Sequence, residues 1–315
     1  MIFDAVPERA VLLPHYAYRK EAGSRQSRKK KKWSRSCENT DHHLAMNGIG
    51  DYEKQVAVES MIGVYFSGTG NSRYAAELFC KECGYEGSAF SIEDECVREK
   101  IREAEEIVFS YPVQYSTVPK FVRDFIDENR EIWSGKKIFV IATMGLFSGD
   151  GSGILGRYLQ KYGAVIVGGL HLKMPDSIAD EKALKRAFEK NLANIRESEE
   201  KIRRSAKAYR KGKPTKEGLG IFYRLAGFFG QRLYFGHMTK KYSSKLKINA
   251  DRCIGCGLCE KLCPLENIHI KGKPAVPEGK CTMCYRCINR CPKQAITLLG
   301  KEIVEQTTIE KYLKK

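Results

Sequence analysis

From Met61 to about Pro175, short apolar runs alternate with stretches whose apolar residues recur every three or four positions. IGVYF (62–66) predicts a strand, followed by a helix running to Cys83 that Gly84 stops. SAFSI (88–92) predicts a weaker strand, and ECVREKIREA a short helix. EIVFSYP (106–112) reads as a third strand. VPKFVRDFIDENR then puts Val118, Phe121, Val122 and Phe125 on one helical face. KKIFVIATMG (136–145) is nearly all apolar, as a central parallel strand should be. GILGRYLQKYG follows as a helix and AVIVGGLHL as a fifth strand. This alternation predicts an α/β fold over 61–177, a doubly wound five-stranded parallel sheet.

Beyond this region the pattern changes. Residues 178–212 read as one long charged helix and 216–243 as a second, aromatic one, making 178–246 a basic helical connector. Residues 247–300 hold a dense cysteine repeat and predict a small α+β domain, with 301–315 as a C-terminal tail. Residues 1–60 have few large apolar side chains and no sustained period. They read as a disordered leader, or as a spurious one with Met61 the natural start. The run RKKKK (28–32) is basic enough to raise nucleic-acid binding, but it stands alone in that leader, and no nucleic-acid partner is expected.

Charge and length narrow the class. The 315 residues carry a formal charge of +17. Between Asp180 and Ala250, 19 Lys/Arg stand against 7 Asp/Glu, so much of the excess lies in the connector. A redox partner with an acidic docking face is expected. No apolar run is long enough to span a bilayer. The stretch GLGIFYRLAGFFGQRLYFGHM (218–238) allows peripheral contact with an anionic membrane, though a connector packed between two domains is the simpler reading. The N-terminus lacks the charge and apolar pattern of a signal peptide, so a cytoplasmic protein is expected.

The turn after the first predicted strand carries candidate chemistry. Ser67-Gly68-Thr69-Gly70-Asn71-Ser72 joins that strand to a helix. Glycine permits a tight turn and close approach to a ligand, and the free N–H groups at a helix start favour an anion. No Lys-Ser/Thr pair follows, and Arg73 stands where a dinucleotide fingerprint needs its third glycine. A phosphate monoester cradle of hydroxyls and amides remains. In such a sheet, ligands sit beyond the carboxyl ends of the strands. There lie Pro112-Val113-Gln114-Tyr115 and Thr143-Met144-Gly145-Leu146-Phe147-Ser148-Gly149, with aromatic rings able to cover a flat heterocycle.

Eight of the 12 cysteines fall between Cys253 and Cys291. Cys253-x-x-Cys256-x-x-Cys259-x-x-x-Cys263-Pro264 recurs 28 positions later as Cys281, Cys284, Cys287 and Cys291-Pro292. Paired Cys-x-x-Cys units also bind zinc. The triple spacing with Cys-Pro, twice over, instead fits iron–sulfur cubes in which the fourth cysteine ligates the other cluster. The expected sets are Cys253, Cys256, Cys259 with Cys291, and Cys281, Cys284, Cys287 with Cys263. Gly255 and Gly257 suit tight backbone packing, and Ile254 and Ile268 are expected to wall off water. Cys80 and Cys83 close a helix rather than open one, so they read as ordinary thiols. His171 and His269 are expected to point outward from strands without metal.

With these motifs in place, residues 61–175 resemble a flavodoxin-like domain, on SGTGNS, YPVQYSTVP and ATMGLFSGDG. The resemblance implies FMN, its phosphate on Ser67–Ser72 and its ring between the two later loops. Related sequences often carry an aromatic two residues after the loop proline, where this chain has Gln114. Residues 247–299 resemble bacterial-type two-cluster ferredoxins, and the whole of 61–300 resembles fused flavodoxin–ferredoxin proteins of anaerobic microbes. The implied cofactors are FMN and two [4Fe–4S] clusters. The implied function is low-potential electron transfer among a redox partner, the clusters and FMN. The alternative is a flavin-dependent reductase of a small substrate fed by its own ferredoxin domain, with Tyr115 and Phe147 walling the substrate space.

Overall fold

The computed structural model describes residues 61–147, 149–227 and 242–314. The leader 1–60 and most of the predicted aromatic helix lie outside the described residues. Five strands form one parallel sheet: β1 (Met61–Tyr65), β2 (Ala89–Ser91), β3 (Glu106–Pro112), β4 (Lys137–Met144) and β5 (Val165–Lys173). Their order is β2-β1-β3-β4-β5. The chain begins inside the sheet, winds outward to β2, then crosses back to β3. The carboxyl ends of β1 and β3 therefore diverge at a topological switch point.

Strands β1, β3 and β4 alternate strictly between two cores. Ile62, Val64, Ile107, Phe109, Ile138 and Val140 face one side. Helices α2 (Val97–Glu103), α3 (Lys120–Glu128) and α4 (Gly151–Gln160) cover it, with Ile101, Val122, Phe125 and Leu155 buried there. Met61, Val108, Phe139, Ile141 and Leu170 face the other side, under α1 (Asn71–Glu82) and α5 (Phe188–Arg210). Phe121, predicted on the buried face of α3, is only partly buried and packs at the edge of the first core.

Helix α5 corrects the predicted connector. It starts at Phe188, not 178, and lays Ile195, Ile202 and Ala206 against the second face of the sheet. It completes the α/β layer rather than bridging two domains. The preceding segment stays irregular, with one 3-10 turn at Lys182–Leu184, because its backbone groups are engaged elsewhere. The Ala179 carbonyl accepts from Val304 N and Glu305 N, and the Asp176 carboxylate accepts from Ile178 N. Residues 216–220, predicted to open the aromatic helix, form a bridge and turn instead, and a short helix α6 runs from Ile221 to Gly227.

The cysteine-rich half pairs β6 (Lys247–Ile248) with β9 (Ile296–Thr297) and β7 (Ile268–His269) with β8 (Val276–Pro277), both antiparallel. Helices α7 (Leu258–Leu262) and α8 (Arg286–Arg290) follow the two cysteine triplets. The 28-residue repeat is conformational as well as sequential. Gly255 and Gly257 have φ of 70° and 74°, and their repeat mates Met283 and Tyr285 have 56° and 58°. Glu266 and Gln294 match likewise, at 50° and 49°.

The C-terminal tail returns to the sheet. Its helix α9 (Ile309–Leu313) buries Ile309 and Tyr312 in the core between α1 and α5. Burial of two such side chains contributes about 1.5–3 kcal/mol each. The tail thus fastens the cysteine-rich half back onto the α/β half.

Candidate functional site

The loop after β1 turns through Gly70, whose φ of 94° lies in the left-handed region, into the start of α1. Three consecutive carbonyls of this loop accept hydrogen bonds from the C-terminal half. Arg286 Nη2 donates to Ser67 O at 2.8 Å and Arg290 Nη1 to Gly68 O at 3.0 Å. Ile309 N donates to Thr69 O at 2.9 Å. In a trans peptide the carbonyl and the next N–H point in opposite directions. Pinning these oxygens outward therefore aims the N–H groups of Gly68 and Thr69 away from the cysteine-rich half's donors. The Gly70 N–H donates to Ser67 Oγ at 3.0 Å, which leaves that hydroxyl's proton for another acceptor.

These residues border a cavity of about 400 Å³ at the carboxyl ends of β1, β3 and β4. Ser67, Gly68, Thr69, Asn71 and Ser72 line one end. Gly70 makes the turn without lining the wall. Pro112, Val113, Gln114 and Tyr115 form one side, and Thr143, Met144, Gly145 and Phe147 another. Gly149 stands outside the wall, and Ser148 lies outside the described residues. Not every predicted polar group faces inward in the same way. Asn71 Nδ2 donates to Pro175 O at 2.8 Å, and Ser72 Oγ pairs with Thr143 Oγ1 at 2.8 Å.

The remaining wall comes from residues that the sequence patterns did not place at this site. Asp176, Ser177 and Ile178 follow β5, and Tyr242, Met283, Cys284, Tyr285 and Leu299 come from the cysteine-rich half and the chain entering it. Gln114, at the position where relatives carry an aromatic, donates Nε2 to Thr282 O and Met283 O, both at 3.1 Å. A polar residue stands there because it meets another backbone. The approach is tight: a Cβ on Gly68 would overlap the Cys284 carbonyl oxygen. Met283 and Tyr285 hold left-handed backbone where the first repeat uses glycine. A non-glycine residue there costs about 1–2 kcal/mol. In return their side chains, 6% and 3% exposed, wall the cavity. The Tyr285 hydroxyl donates to Asp180 Oδ1 at 3.0 Å, and Asp180 Oδ2 accepts from Leu298 N and Leu299 N.

Charge at the junction is paired. Arg286 Nη1 and Nη2 reach the Glu93 carboxylate at 2.7 and 2.5 Å. Arg73 meets Glu310 at 2.7 Å, and Glu310 lies 3.6 Å from Arg290. Burial pushes Asp176 up from the usual carboxylate range, against hydrogen bonds from the Ile178 and Ser177 backbone. Burial likewise raises Tyr115 to about 12, helped by Tyr242, Asp176 and Asp180.

The eight thiols fall into two neighbourhoods. Cys253, Cys256, Cys259 and Cys291 line one small pocket with Ile248, Ile270 and Ile296. Cys263 lies close enough to Cys281, Cys284 and Cys287 to act on each electrostatically. Burial pushes Cys281 up to about 12 and Cys259 to about 11. Loading of a cluster must therefore release these protons. Ile268 is fully buried, as expected. Ile254 is not: it borders the pocket but is 46% exposed, because the loop that carries it stands at the surface. Among the described residues, no group of three or more His, Cys, Asp and Glu is gathered as a site for a single metal ion.

The residues fit the groups that the patterns imply. The cavity offers hydroxyls and amides at one end, including a buried Asn71 Oδ1 with no hydrogen-bond partner among the described residues, and mostly apolar walls beyond. The thiol sets offer the soft donors of iron–sulfur chemistry. Two other expectations are revised or kept. His171 does not point outward: its Nε2 accepts from Ser152 N at 3.1 Å, and burial pushes it down to about 4. His269 pairs with Glu260 and Glu278 near the surface. Cys80 is buried and its thiol is pushed up to about 12, first by burial, which fits an unreactive thiol.

Comparison with known proteins matches two segments. The family model for a flavodoxin domain matches residues 62–165, and that for a 4Fe-4S binding domain matches residues 246–269. The second cysteine triplet lies beyond the latter match. No curated protein matches the chain. Among solved structures, a flavodoxin from the domain Archaea is 19% identical, with a TM-score of 0.33, over 47% of this chain and 98% of its own. Oxidised flavodoxin 2 from Bacillus cereus is 20% identical, with a TM-score of 0.36, over 48% and 97%. The two-electron reduced flavodoxin of Megasphaera elsdenii is 23% identical, with a TM-score of 0.33, over 37% and 89%. The first domain implies a flavin, FMN, and the second an iron–sulfur cluster. The two family-model matches, with the β2-β1-β3-β4-β5 sheet, support a flavodoxin domain and a 4Fe-4S ferredoxin-type domain fused in one polypeptide.

Proposed function

We propose that this chain is a low-potential cytoplasmic electron carrier that holds FMN and two [4Fe–4S] clusters and passes electrons between them and a protein partner with an acidic docking face. When bound, FMN supplies one- or two-electron chemistry and each cluster one-electron chemistry. The observation that carries the reading is the position of Cys284. It belongs to the second thiol set and also lines the cavity bounded by Ser67–Ser72.

The chain's own residues prepare that junction. Gly68 and Thr69 N–H and the Ser67 and Thr69 hydroxyls would receive the phosphate at the start of α1. Val113, Met144 and Tyr115 would bound the ring, and Met283 and Tyr285 would cover it from the ferredoxin side. Gln114, Arg286 and Arg290 hold the two halves in register, so no diffusive encounter separates flavin from cluster. Cys253, Cys256, Cys259 and Cys291 would hold one cluster, and Cys281, Cys284, Cys287 and Cys263 the other.

Anaerobic purification followed by iron, sulfide and FMN counts tests this reading. The expected result is two four-iron clusters and one FMN per chain. Protein that takes up iron but never FMN, or FMN without iron, overturns it.

The reductase reading has one observation in its favour. The cavity extends past the flavin loops to Glu181, Leu184 and Tyr242, and its rim carries Leu146 and Phe147, 52% and 50% exposed. Steady turnover of a small acceptor with no protein acceptor present would support it.

A further inference from the structure

The two thiol sets are not equally reachable. The second is walled in by Gly68, Gln114 and Arg286, and its four cysteines are only partly exposed. The first set lines a separate pocket, and its loop stands at the surface. Cys256 is the exposed member of the eight. Beside it Ile254 is 46% exposed, a bare apolar tip where the sequence calls for a water barrier.

The charge around that tip is one-sided. Arg252 adjoins it in the chain, Lys273 lies against Gly255, and Lys293 lines the pocket of the first set. All three side chains are exposed. Among the described residues none of them has an ion-pair partner, whereas Lys280 in the same half pairs with Glu278 and Lys311 in the tail with Glu305. Asp251, next to Arg252, is the neighbouring carboxylate in sequence. The other nearby carboxylates, Glu260 and Glu278, are turned to His269. An apolar contact ringed by unneutralised cations is suited to a protein surface of opposite sign. Long-range attraction speeds the encounter, and the apolar tip excludes water once contact is made.

We propose that the Ile254–Cys256 loop, with Arg252, Lys273 and Lys293, is the port at which an acidic one-electron carrier protein docks. This deepens the electron-carrier reading and rests on it. In each encounter the carrier loses one electron and this protein gains one. No bond forms or breaks, and no proton need cross the interface. The cavity that would hold the flavin lies beyond the second thiol set, which reaches it through Cys284.

The test uses the full, cofactor-loaded chain under anaerobic conditions with a reduced, acidic bacterial-type ferredoxin as donor. Lys273→Glu/Lys293→Glu is expected to slow reduction at least tenfold at low ionic strength. Wild-type reduction by this donor is expected to slow as salt rises. Photoreduced deazaflavin, a small donor, is expected to reduce wild type and variant equally, and iron content is expected to be unchanged. Lys182→Glu, which changes charge beside the cavity residues Glu181 and Ala183 and breaks the Lys182–Glu302 pair, serves as the comparison and is expected to have no effect. Slowing by Lys182→Glu but not by the double variant would overturn the proposal and place docking at the flavin. Salt-independent reduction, or equal rates for all three proteins, would also overturn it. A wild-type chain whose flavin answers neither donor would instead refute the electron-carrier reading beneath it.

Discussion

Arg286 donates to the carbonyl oxygen of Ser67 at 2.8 Å while both of its terminal nitrogens hold the Glu93 carboxylate. One side chain on the ferredoxin half thereby fixes the first peptide of the Ser67–Ser72 loop. The pair is mostly buried, with side chains 15% and 25% exposed, so loss of one partner strands the other. Arg286→Ala is expected to destabilise the chain by about 2–4 kcal/mol and to weaken FMN binding about tenfold. Denaturant melts and flavin-fluorescence titrations check the two effects separately.

Gly68 reads the closeness of the halves. A Cβ there meets the Cys284 carbonyl oxygen, which belongs to the ferredoxin backbone and cannot swing aside. Gly68→Ala is expected to lower FMN affinity at least tenfold and to perturb the visible absorption of the cluster held by Cys284. The far-UV circular dichroism should keep its α/β signature. An unchanged cluster spectrum would show that the junction yields more easily than the packing implies.

The C-terminal helix is predicted to matter for flavin although none of its own residues lines the cavity. Ile309 is buried between α1 and α5 and donates its N–H to Thr69 O. Ile309→Ala opens a cavity there, at a cost of about 2–4 kcal/mol. It should also raise the FMN dissociation constant several-fold while iron content stays constant. Calorimetry and iron assay decide the matter.

His171 gives stability a pH dependence. Burial, reinforced by Lys201 and opposed by Glu217, pushes its pKa from 6.5 down to about 4. Between those values the unfolded chain binds more protons than the folded one, so stability falls as pH drops through that window. From pH 7 to pH 5 this group alone should remove about 2 kcal/mol. His171→Gln, which keeps an acceptor for Ser152 N, should lose that part of the slope. Paired urea melts of the two proteins at pH 7 and pH 5 measure the difference.

Much of this was legible in the residue pattern. Strict alternation in β1, β3 and β4 marks two buried faces, and the cysteine spacing with its 28-residue period marks two thiol sets. The Ser67–Ser72 turn could be placed at a helix start from its glycines alone. What sequence hid was the meeting of the halves. Gln114 looked like a departure from a pattern because its partners, Thr282 O and Met283 O, are distant in sequence. Helix α5 looked like a connector because its charged residues outnumber the buried Ile195, Ile202 and Ala206. The tail looked inert because a single turn carrying Ile309 and Tyr312 has no period to detect. One signal did stand in the repeat itself. Met283 and Tyr285 occupy the copies of Gly255 and Gly257, and that replacement marks where side chains were worth backbone strain.

The most direct test of the account follows the flavin after the clusters have been reduced, at several protein concentrations. In stopped-flow experiments with a limiting protein donor, flavin bleaching should be first-order, with one rate constant at every protein concentration, because the flavin cavity and Cys284 share a wall. A rate that rises in proportion to protein concentration, or a flavin that stays oxidised while the clusters bleach, would contradict it.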